Sequence, residues 1–218
     1  QYFEASKTYF LNGRMDWQLS PVSDASAQFG MSQGNWHAGQ HTDDPTGVLD
    51  PRMQDSRALY LQLTYHKVES AQREWRVQAY HSRNRFDANA LADLSLLGLG
   101  VVSVDQYLNQ TRSNIELQVN ETWNADLRGV WGGELRQDTV VSPQNYNADR
   151  ELSGILARAF GNLEWHAQER VLVQGGAMVE HHYYTGTEVS PRAAVNLTLH
   201  PGHVVRLGVS RAYRSPTF

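Results

Sequence analysis

The sequence has 218 residues, 19% of them charged, and a formal net charge of −4. This balance lacks the basic footprint of a nucleic-acid-binding protein, so we expect no nucleic-acid partner. The absence of cysteine excludes a disulfide scaffold, a thiolate zinc site and a cysteine nucleophile. The longest apolar stretch, residues 94–104, is too short for a membrane helix, which requires about 20 residues.

A two-residue hydrophobic period runs along most of the chain. In residues 114–123 apolar side chains alternate with polar ones, and the pattern recurs in residues 59–66, 75–80, 192–199 and 205–210. Successive side chains of a strand point to opposite sides, so this period predicts an all-β chain whose strands have one apolar and one polar face. Only residues 87–110 carry a rival helical signal. The predicted strands lie near residues 12–20, 24–34, 56–67, 74–86, 113–123, 126–137, 151–164, 170–183, 189–199 and 203–213.

Short and long links alternate between these predicted strands. The short links lie at residues 21–23, 68–73, 124–125, 164–169 and 200–202. The longer ones lie at residues 35–55, 87–112 and 138–150, with a shorter link near Gly186. Many of the strands have 10 to 13 residues, whereas soluble strands have about 5–6. Short turns at one end and long loops at the other are typical of an antiparallel up-and-down transmembrane β-barrel, and a Greek-key sandwich has no reason to show them.

In such a barrel the apolar side chains face lipid and the polar ones line the interior. Five tryptophans would then form an interfacial girdle. Packing of the same rings in a soluble core is the alternative interpretation. The girdle candidates are Trp17, Trp75, Trp123, Trp131 and Trp165. The predicted lining residues are Arg76, Gln78, Glu116, Gln118, Arg128, Glu134, Arg136, Arg192 and Arg206.

The C-terminal part of the chain resembles TonB-dependent outer-membrane receptors. It reads SPRAAVNL at 190–197, HPGH at 200–203 and SRAYRSPTF at 210–218. The family has a similar strand, a short P-x-H turn and an S-R-A-Y-R-x-P strand near mid-barrel. WGGELR, GNLEW and MVEH, at residues 131–136, 161–165 and 178–181, resemble further strands of siderophore receptors. The positions matching the last family motif are Ser210, Arg211, Ala212, Tyr213, Arg214 and Pro216.

The resemblance implies a 22-stranded barrel with a globular plug in the bacterial outer membrane. Such a receptor contacts outer-membrane lipid, is energised by the TonB–ExbB–ExbD complex and imports a ferric siderophore or a similar scarce nutrient, with no intrinsic cofactor and no catalysis. Ten strands are fewer than half of 22, and we find neither a TonB box nor a plug-like sequence. We therefore expect residues 1–218 to form a partial receptor barrel domain.

Two groups of residues are candidate ligand contacts. His37 and His41 share a predicted long loop with several aspartates, and His182 and Tyr184 lie at a predicted strand tip. Imidazole and carboxylate groups can bind divalent metal, although solvated loop residues are the alternative, and we expect no resident metal site. Arg192 and Arg206 would attract an anionic ferric siderophore or form ion pairs inside the barrel.

Two other classes of protein remain open at this point. One is a soluble β-barrel or lectin-like sandwich that binds a small ligand, which predicts no consistent outward apolar belt. The other is a hydrolase, because Gly30, Ser32 and Gly34 fit the G-x-S-x-G pattern. That nucleophile elbow requires a strand, a sharp turn and a helix, and the sequence after Gly34 has no helical period.

Overall fold

The computed structural model describes residues 5–38, 52–147 and 150–213. They form one antiparallel sheet of ten strands in which each strand pairs with the next in chain order. A four-residue helix, α1 (Pro143–Tyr146), lies between the sixth and seventh strands. The strands are β1 (Ser6–Ser20), β2 (Ser23–Ala38), β3 (Arg52–Ser70), β4 (Arg73–Asp93), β5 (Val101–Thr122), β6 (Leu127–Val141), β7 (Leu152–Gln168), β8 (Val171–His182), β9 (Gly186–His200) and β10 (His203–Ser210).

The predicted asymmetry of the links is confirmed. Links of two to four residues join β1 to β2, β3 to β4, β5 to β6, β7 to β8 and β9 to β10, and all of them lie at one end of the sheet, the turn end. At Pro201 and Gly202 the proline fixes φ for the first central position, and Gly202 has φ 86°, as a type II turn requires. The links at the other end, the loop end, are longer except for residues 183–185 between β8 and β9.

Several strands extend further toward the loop end than the sequence predicts. The predicted loop at 87–112 is wrong, and the rival helical signal at 87–110 does not correspond to a helix, because β4 and β5 stay paired as far as Asp93 and Val101. Only a 3-10 helix at Ser95–Leu97 remains there. β6 likewise continues to Val141, into the predicted loop at 138–150. These extensions depend on backbone hydrogen bonds, which leave no hydrophobic period in the sequence. β10 ends at Ser210, three residues earlier than predicted.

The register gives all ten strands the same phase of alternation. In every pair of neighbouring strands, even-numbered residues pair with even-numbered ones, as Glu116 of β5 pairs with Glu134 of β6. The exceptions are short register shifts beside four of the five short turns. Even-numbered strand residues therefore lie on one side of the sheet, the polar face, and odd-numbered residues lie on the other, the apolar face.

The described residues form no conventional apolar core; their only buried hydrophobic side chains are Ala27, Ala88, Val119, Val140 and Leu156. Most of the large exposed hydrophobic residues belong to the apolar face, whereas Glu134, Asp138 and Glu180 are buried on the polar face. The accessible surface is 14898 Å², against roughly 10,000 Å² for a compact soluble protein of this mass. This arrangement contradicts the soluble alternative, in which the apolar side chains would pack against one another.

The two outermost strands, β1 and β10, are not paired with each other among the described residues, so the sheet is open. Within the same residues, no helix is long and apolar enough to cross a membrane.

Candidate functional site

The polar face carries a row of acidic side chains at its centre. The register places one residue from each of six neighbouring strands side by side on this row, about 4.8 Å apart from strand to strand. Four of the six are glutamates and one is an arginine, so the row is strongly acidic. In order from β4 to β9 the row contains Gln78, Glu116, Glu134, Arg158, Glu180 and Glu188.

Arg158 connects the two buried glutamates of this row. Its Nη1 lies 2.9 Å from Oε2 of Glu134 and its Nη2 lies 2.7 Å from Oε2 of Glu180. The glutamate side chains are only 7% and 11% exposed. Asn114 donates a further hydrogen bond to Glu134 at 3.2 Å. Buried carboxylates require such partners, because the desolvation of an unpaired charge is costly.

A second cluster lies on the polar face nearer the loop end. Asp138 is within 2.6 Å of Nε of Arg112 and within 3.0 Å of Nε of Arg136. Its side chain is 11% exposed, so one buried carboxylate is flanked by two guanidinium groups. This cluster and Arg158 together link strands β5 to β8 through side chains as well as through the backbone.

A third cluster lies toward the turn end. His66 has Nδ1 3.0 Å from Asp24 and Nε2 3.3 Å from Glu74, and Asn120 donates to Glu74 at 2.8 Å. The cluster borders an open cavity of about 560 Å³ lined almost entirely by polar side chains. Such a lining of hydrogen-bonding side chains is unlike that of an apolar core.

The structure brings two of the predicted ligand residues together. His182 is buried at the end of β8 on the polar face, and its ring centroid lies 5.8 Å from that of Tyr184. The backbone N–H of Tyr184 donates to Nδ1 of His182 at 3.2 Å. Tyr183 packs edge-on against Tyr184 at 4.9 Å. His182 and Tyr184 therefore form an aromatic cluster at the loop end.

Of the other predicted histidines, only the backbone of His37 lies within the described residues. His37 lies in β2, six strands from β8, and its side chain is outside the described part of the structure. His41 lies outside the described residues, as do Arg214 and Pro216 of the family motif. Within the part of the chain that is described, no three His, Asp or Glu side chains are arranged to hold a metal ion.

Arg192 and Arg206 border a different cavity, of about 360 Å³, on β9 and β10. Nε of Arg192 donates to Oδ1 of Asn162 at 3.1 Å. The cross-strand partner of His182 is Gly186, and six residues of strand separate it from Arg192, about 20 Å. The predicted residues therefore divide into a histidine–tyrosine cluster at the loop end and an arginine pair nearer the turn end.

The family-motif residues lie where β10 ends. Ser210 is the last residue of β10, and Arg211, Ala212 and Tyr213 continue without strand structure. The backbone N–H of Arg211 donates to the carbonyl of Pro191 at 3.0 Å, and its guanidinium lies 4.5 Å from the centroid of the Tyr213 ring. The hydrogen bond to Pro191 holds the segment against β9.

The nucleophile-elbow pattern has no catalytic geometry. Gly30, Ser32 and Gly34 all lie inside β2, which continues as a strand to Ala38. The sharp turn and helix that the pattern needs are therefore missing at this point. The match arises from small residues on the polar face of a strand.

On the apolar face, five tryptophans gather at the turn end. Trp123 lies in a short link, and the others lie within five residues of one. Trp75 packs against Tyr65 with their ring centroids 5.2 Å apart. A ring of amphipathic side chains at one height is typical of a membrane–water interface. The remaining members are Trp17, Trp131 and Trp165.

Sequence reasoning identified the polar face but missed its pairing. Glu134 and Arg136 were expected to line the interior, whereas Arg158 and the His66 cluster were not singled out, and Glu180 was noted only as a neighbour of His182. The alternation shows only which face a side chain occupies. Which charges meet depends on the register between strands, and that was the missing information.

A single up-and-down sheet with an apolar outer belt, a girdle at one end and a polar face rich in ion pairs defines the wall of a membrane-spanning β-barrel. A family model described as "TonB dependent receptor-like, beta-barrel" matches residues 4–218. The chain belongs to this family.

Solved structures support the same fold. The siderophore receptor PirA from Pseudomonas aeruginosa aligns with a TM-score of 0.75 at 15% identity, over 97% of this chain and 34% of that one. A mutant of the ferric enterobactin receptor PfeA from the same organism aligns with a TM-score of 0.75 at 13% identity, over 98% and 34%. The copper transporter OprC gives 0.73 at 13% identity, over 99% and 38%.

This chain therefore spans about a third of the length of these structures. No match was found among curated protein sequences.

Proposed function

We propose that this chain is part of the barrel wall of a bacterial outer-membrane receptor that imports a ferric siderophore or a similar scarce nutrient, with energy supplied by the TonB–ExbB–ExbD complex. The proposal is supported by family membership and by the likeness to siderophore receptors. The observation that carries it is the division of the sheet into an apolar face and a charged polar face, since a transported hydrophilic solute needs a wet interior.

The polar face would serve transport in two ways. The buried ion pairs around Arg158 and Asp138 hold adjacent strands in register, so the wall keeps its shape while a solute passes. The exposed Arg192 and Arg206 present positive charge to the interior, which favours entry of an anionic ferric chelate.

The histidine–tyrosine cluster would act earlier, at ligand capture. His182 and Tyr184 lie at the loop end, which corresponds to the extracellular side of outer-membrane barrels. Tyr184 is exposed, and its ring offers a stacking surface with a hydroxyl at its edge, a combination that suits an aromatic iron chelator. The buried His182 packs against this ring and accepts the backbone N–H of Tyr184. His37 and His41 are proposed as further contacts on the same side.

Uptake in cells tests the proposal. Radiolabelled iron is supplied as ferric enterobactin or as a ferric trihydroxamate to cells with and without the gene encoding this chain, and to a strain lacking TonB. We expect uptake of one of the complexes to fall to background in both mutants. Unchanged uptake of both complexes in the gene deletion contradicts iron import through this chain.

Copper is the alternative cargo to include, because a copper transporter is among the similar structures. Cellular copper is measured in the same strains after growth with limiting copper chloride. A fall in cellular copper in the gene deletion, with no change in iron uptake, would show that the imported nutrient is copper and not a ferric siderophore. No change in either element would contradict both.

A further inference from the structure

The apolar face becomes basic near the loop end of β3 and β4. Arg57, Arg83 and Arg85 are odd-numbered, so they face the same side as the lipid-facing leucines of those strands. Arg57 and Arg85 lie directly opposite each other across the strand pair. Like charges opposite each other destabilise a sheet, and an arginine facing the hydrocarbon is tolerated only near the membrane–water interface.

The height of these arginines matches that interface. Ten residues separate Trp75, in the girdle at the turn end, from Arg85 on the same strand. A strand rise of about 3.3 Å gives roughly 33 Å along the strand, or about 25 Å along the membrane normal at the usual tilt, which equals the height of the apolar band of such barrels. Tyr107 lies beneath the Arg85 guanidinium at 5.3 Å, as an interfacial tyrosine would.

A cavity of about 520 Å³ lies where this basic rim meets the apolar belt. Tyr9, Leu11, Met31 and Leu59 contribute to its apolar lining, and all four are exposed. Arg57, Arg83 and Arg85 line the same cavity. An apolar groove beneath a group of cations complements a molecule with a hydrocarbon chain and an anionic head.

The neighbouring acids leave the arginines accessible from the membrane side. Arg57 pairs through Nε with Asp55 at 3.0 Å, and Arg85 pairs with Asp87 through Nε at 2.7 Å and Nη2 at 3.3 Å. Both aspartates lie two residues further along their strands toward the loop end, away from the apolar belt. Arg83 uses Nε to contact Asn109. Among the described residues, the terminal nitrogens of Arg57 and Arg83 have no hydrogen-bond partner.

We propose that this surface binds an anionic, phosphate-bearing lipid of the leaflet on the loop side. The lipid phosphate contacts Arg57, Arg83 and Arg85, and one acyl chain lies in the groove against Leu11, Met31 and Leu59. Guanidinium groups recognise phosphate through paired N–H donors. The inference rests on the membrane placement given under the proposed function, and it adds a lipid site on the outside of the wall, separate from the ligand path inside.

Native mass spectrometry of the complete protein carrying this chain tests the site. The protein is purified in a neutral detergent and incubated with phosphatidylglycerol, with phosphatidylcholine, or with inorganic phosphate alone. We expect the wild type to bind one phosphatidylglycerol at least about tenfold more tightly than phosphatidylcholine. The triple variant R57Q/R83Q/R85Q should lose that preference, since the guanidinium groups that contact the lipid phosphate are gone.

A matched charge-loss control lies at the other end of the sheet. K67Q/R73Q/R170Q removes the same number of cations at the turn end and should keep the lipid preference. Leu59→Gln, in the groove, should weaken phosphatidylglycerol binding several-fold and leave the binding of inorganic phosphate unchanged.

Two results would overturn the inference. One is equal retention of phosphatidylglycerol by the wild type and R57Q/R83Q/R85Q. The other is displacement of the lipid by inorganic phosphate at equal concentration, which would indicate a phosphate site without a lipid. Heat-modifiable mobility in detergent gels shows independently whether the protein is a folded barrel. If it is folded and shows no lipid preference, the lipid site is wrong and the barrel assignment stands.

Discussion

Arg158 donates to one oxygen of Glu180 through two nitrogens, Nε at 3.0 Å and Nη2 at 2.7 Å. The bond joins β7 to β8 on the polar face, while Nη1 of the same arginine reaches Glu134 on β6. One guanidinium thus connects three consecutive strands. Since Glu134 and Glu180 are both buried, the arginine compensates two carboxylates whose own contact with solvent is small.

Replacing Arg158 should destabilise the sheet more than replacing an exposed arginine. Arg158→Met leaves two buried carboxylates without their cation, and removal of one partner of a buried pair costs about 3–5 kcal/mol. The measurement is the free energy of unfolding in urea, followed by tryptophan fluorescence in detergent micelles. Arg14→Met is the control, because Arg14 and Asp16 are 60% and 57% exposed, and it should leave the transition unchanged.

The triple variant R158M/E134Q/E180Q identifies the cause of that loss. With both carboxylates neutralised, most of the lost stability should return, because no buried charge remains. A triple variant as unstable as Arg158→Met alone would show that the arginine acts through packing and not through charge.

Two adjacent glycines in β8 should respond differently to alanine. A Cβ at Gly176 would lie 2.6 Å from the carbonyl oxygen of Gly161 and 2.7 Å from Oδ1 of Asn162, whereas one at Gly175 meets nothing within 4 Å. Gly176→Ala should cost about 1–3 kcal/mol of unfolding free energy. Gly175→Ala should stay within about 0.5 kcal/mol of the wild type. Equal effects in the same urea titration would argue against the close approach of β7 and β8.

Arginine substitutions at adjacent positions test which face meets lipid. Leu117 lies on the apolar face of β5 and Gln118 on the polar face. Leu117→Arg should cost about 2–4 kcal/mol of folding free energy in phospholipid vesicles, since it places a charge in hydrocarbon. Gln118→Arg should fold normally. If both variants insert with wild-type yield, as judged by protease protection, the assignment of the apolar face to lipid is wrong.

Alanine substitutions at two neighbouring histidines test whether the loop-end cluster takes part in ligand capture. His182 lies on the polar face beside Tyr184, whereas His181 is exposed on the apolar face and pairs with Thr187 at 2.8 Å. His182→Ala should raise the ligand concentration for half-maximal uptake roughly tenfold, because Tyr184 loses the ring and the acceptor that position it; a tenfold change corresponds to about 1.4 kcal/mol. His181→Ala should leave it unchanged. Unaltered uptake in a variant with alanine at His37, His41 and His182 would remove all three from the capture site.

The sequence predicted the faces of this sheet better than its pairing. The alternation around Glu116 and Leu117 records which side chains meet lipid, because exposure to hydrocarbon selects apolar residues at every second position. The strand extensions to Asp93 and Val101 project beyond the apolar belt, where backbone pairing continues without that selection. The Arg158–Glu180 bond depends on the offset between two strands, and an offset leaves no signal within either strand.

For the candidate site, the sequence placed His182 and Tyr184 together at the loop end. It did not show that the two predicted arginines, Arg192 and Arg206, lie in a separate cavity. His182 and Tyr184 are two positions apart, so their proximity follows from local geometry. Arg192 belongs to a separate cavity because six residues of extended strand lie between it and the partner of His182. The distance between two residues on different strands can be calculated once the register is known, but the sequence alone does not give the register.

In all ten strands the even-numbered residues lie on the polar face, and this shared alternation limits where the chain can gain or lose residues. Inserting one residue in the middle of a strand would exchange lipid-facing and interior-facing positions for the rest of that strand. Such an insertion in β5, before Ile115, would turn Glu116 outward and bring Leu117 inside. Strand interiors should therefore accept length changes only in steps of two, and epitope tags or labelling sites belong in the links at the loop end, where each strand can regain its phase before it enters the membrane.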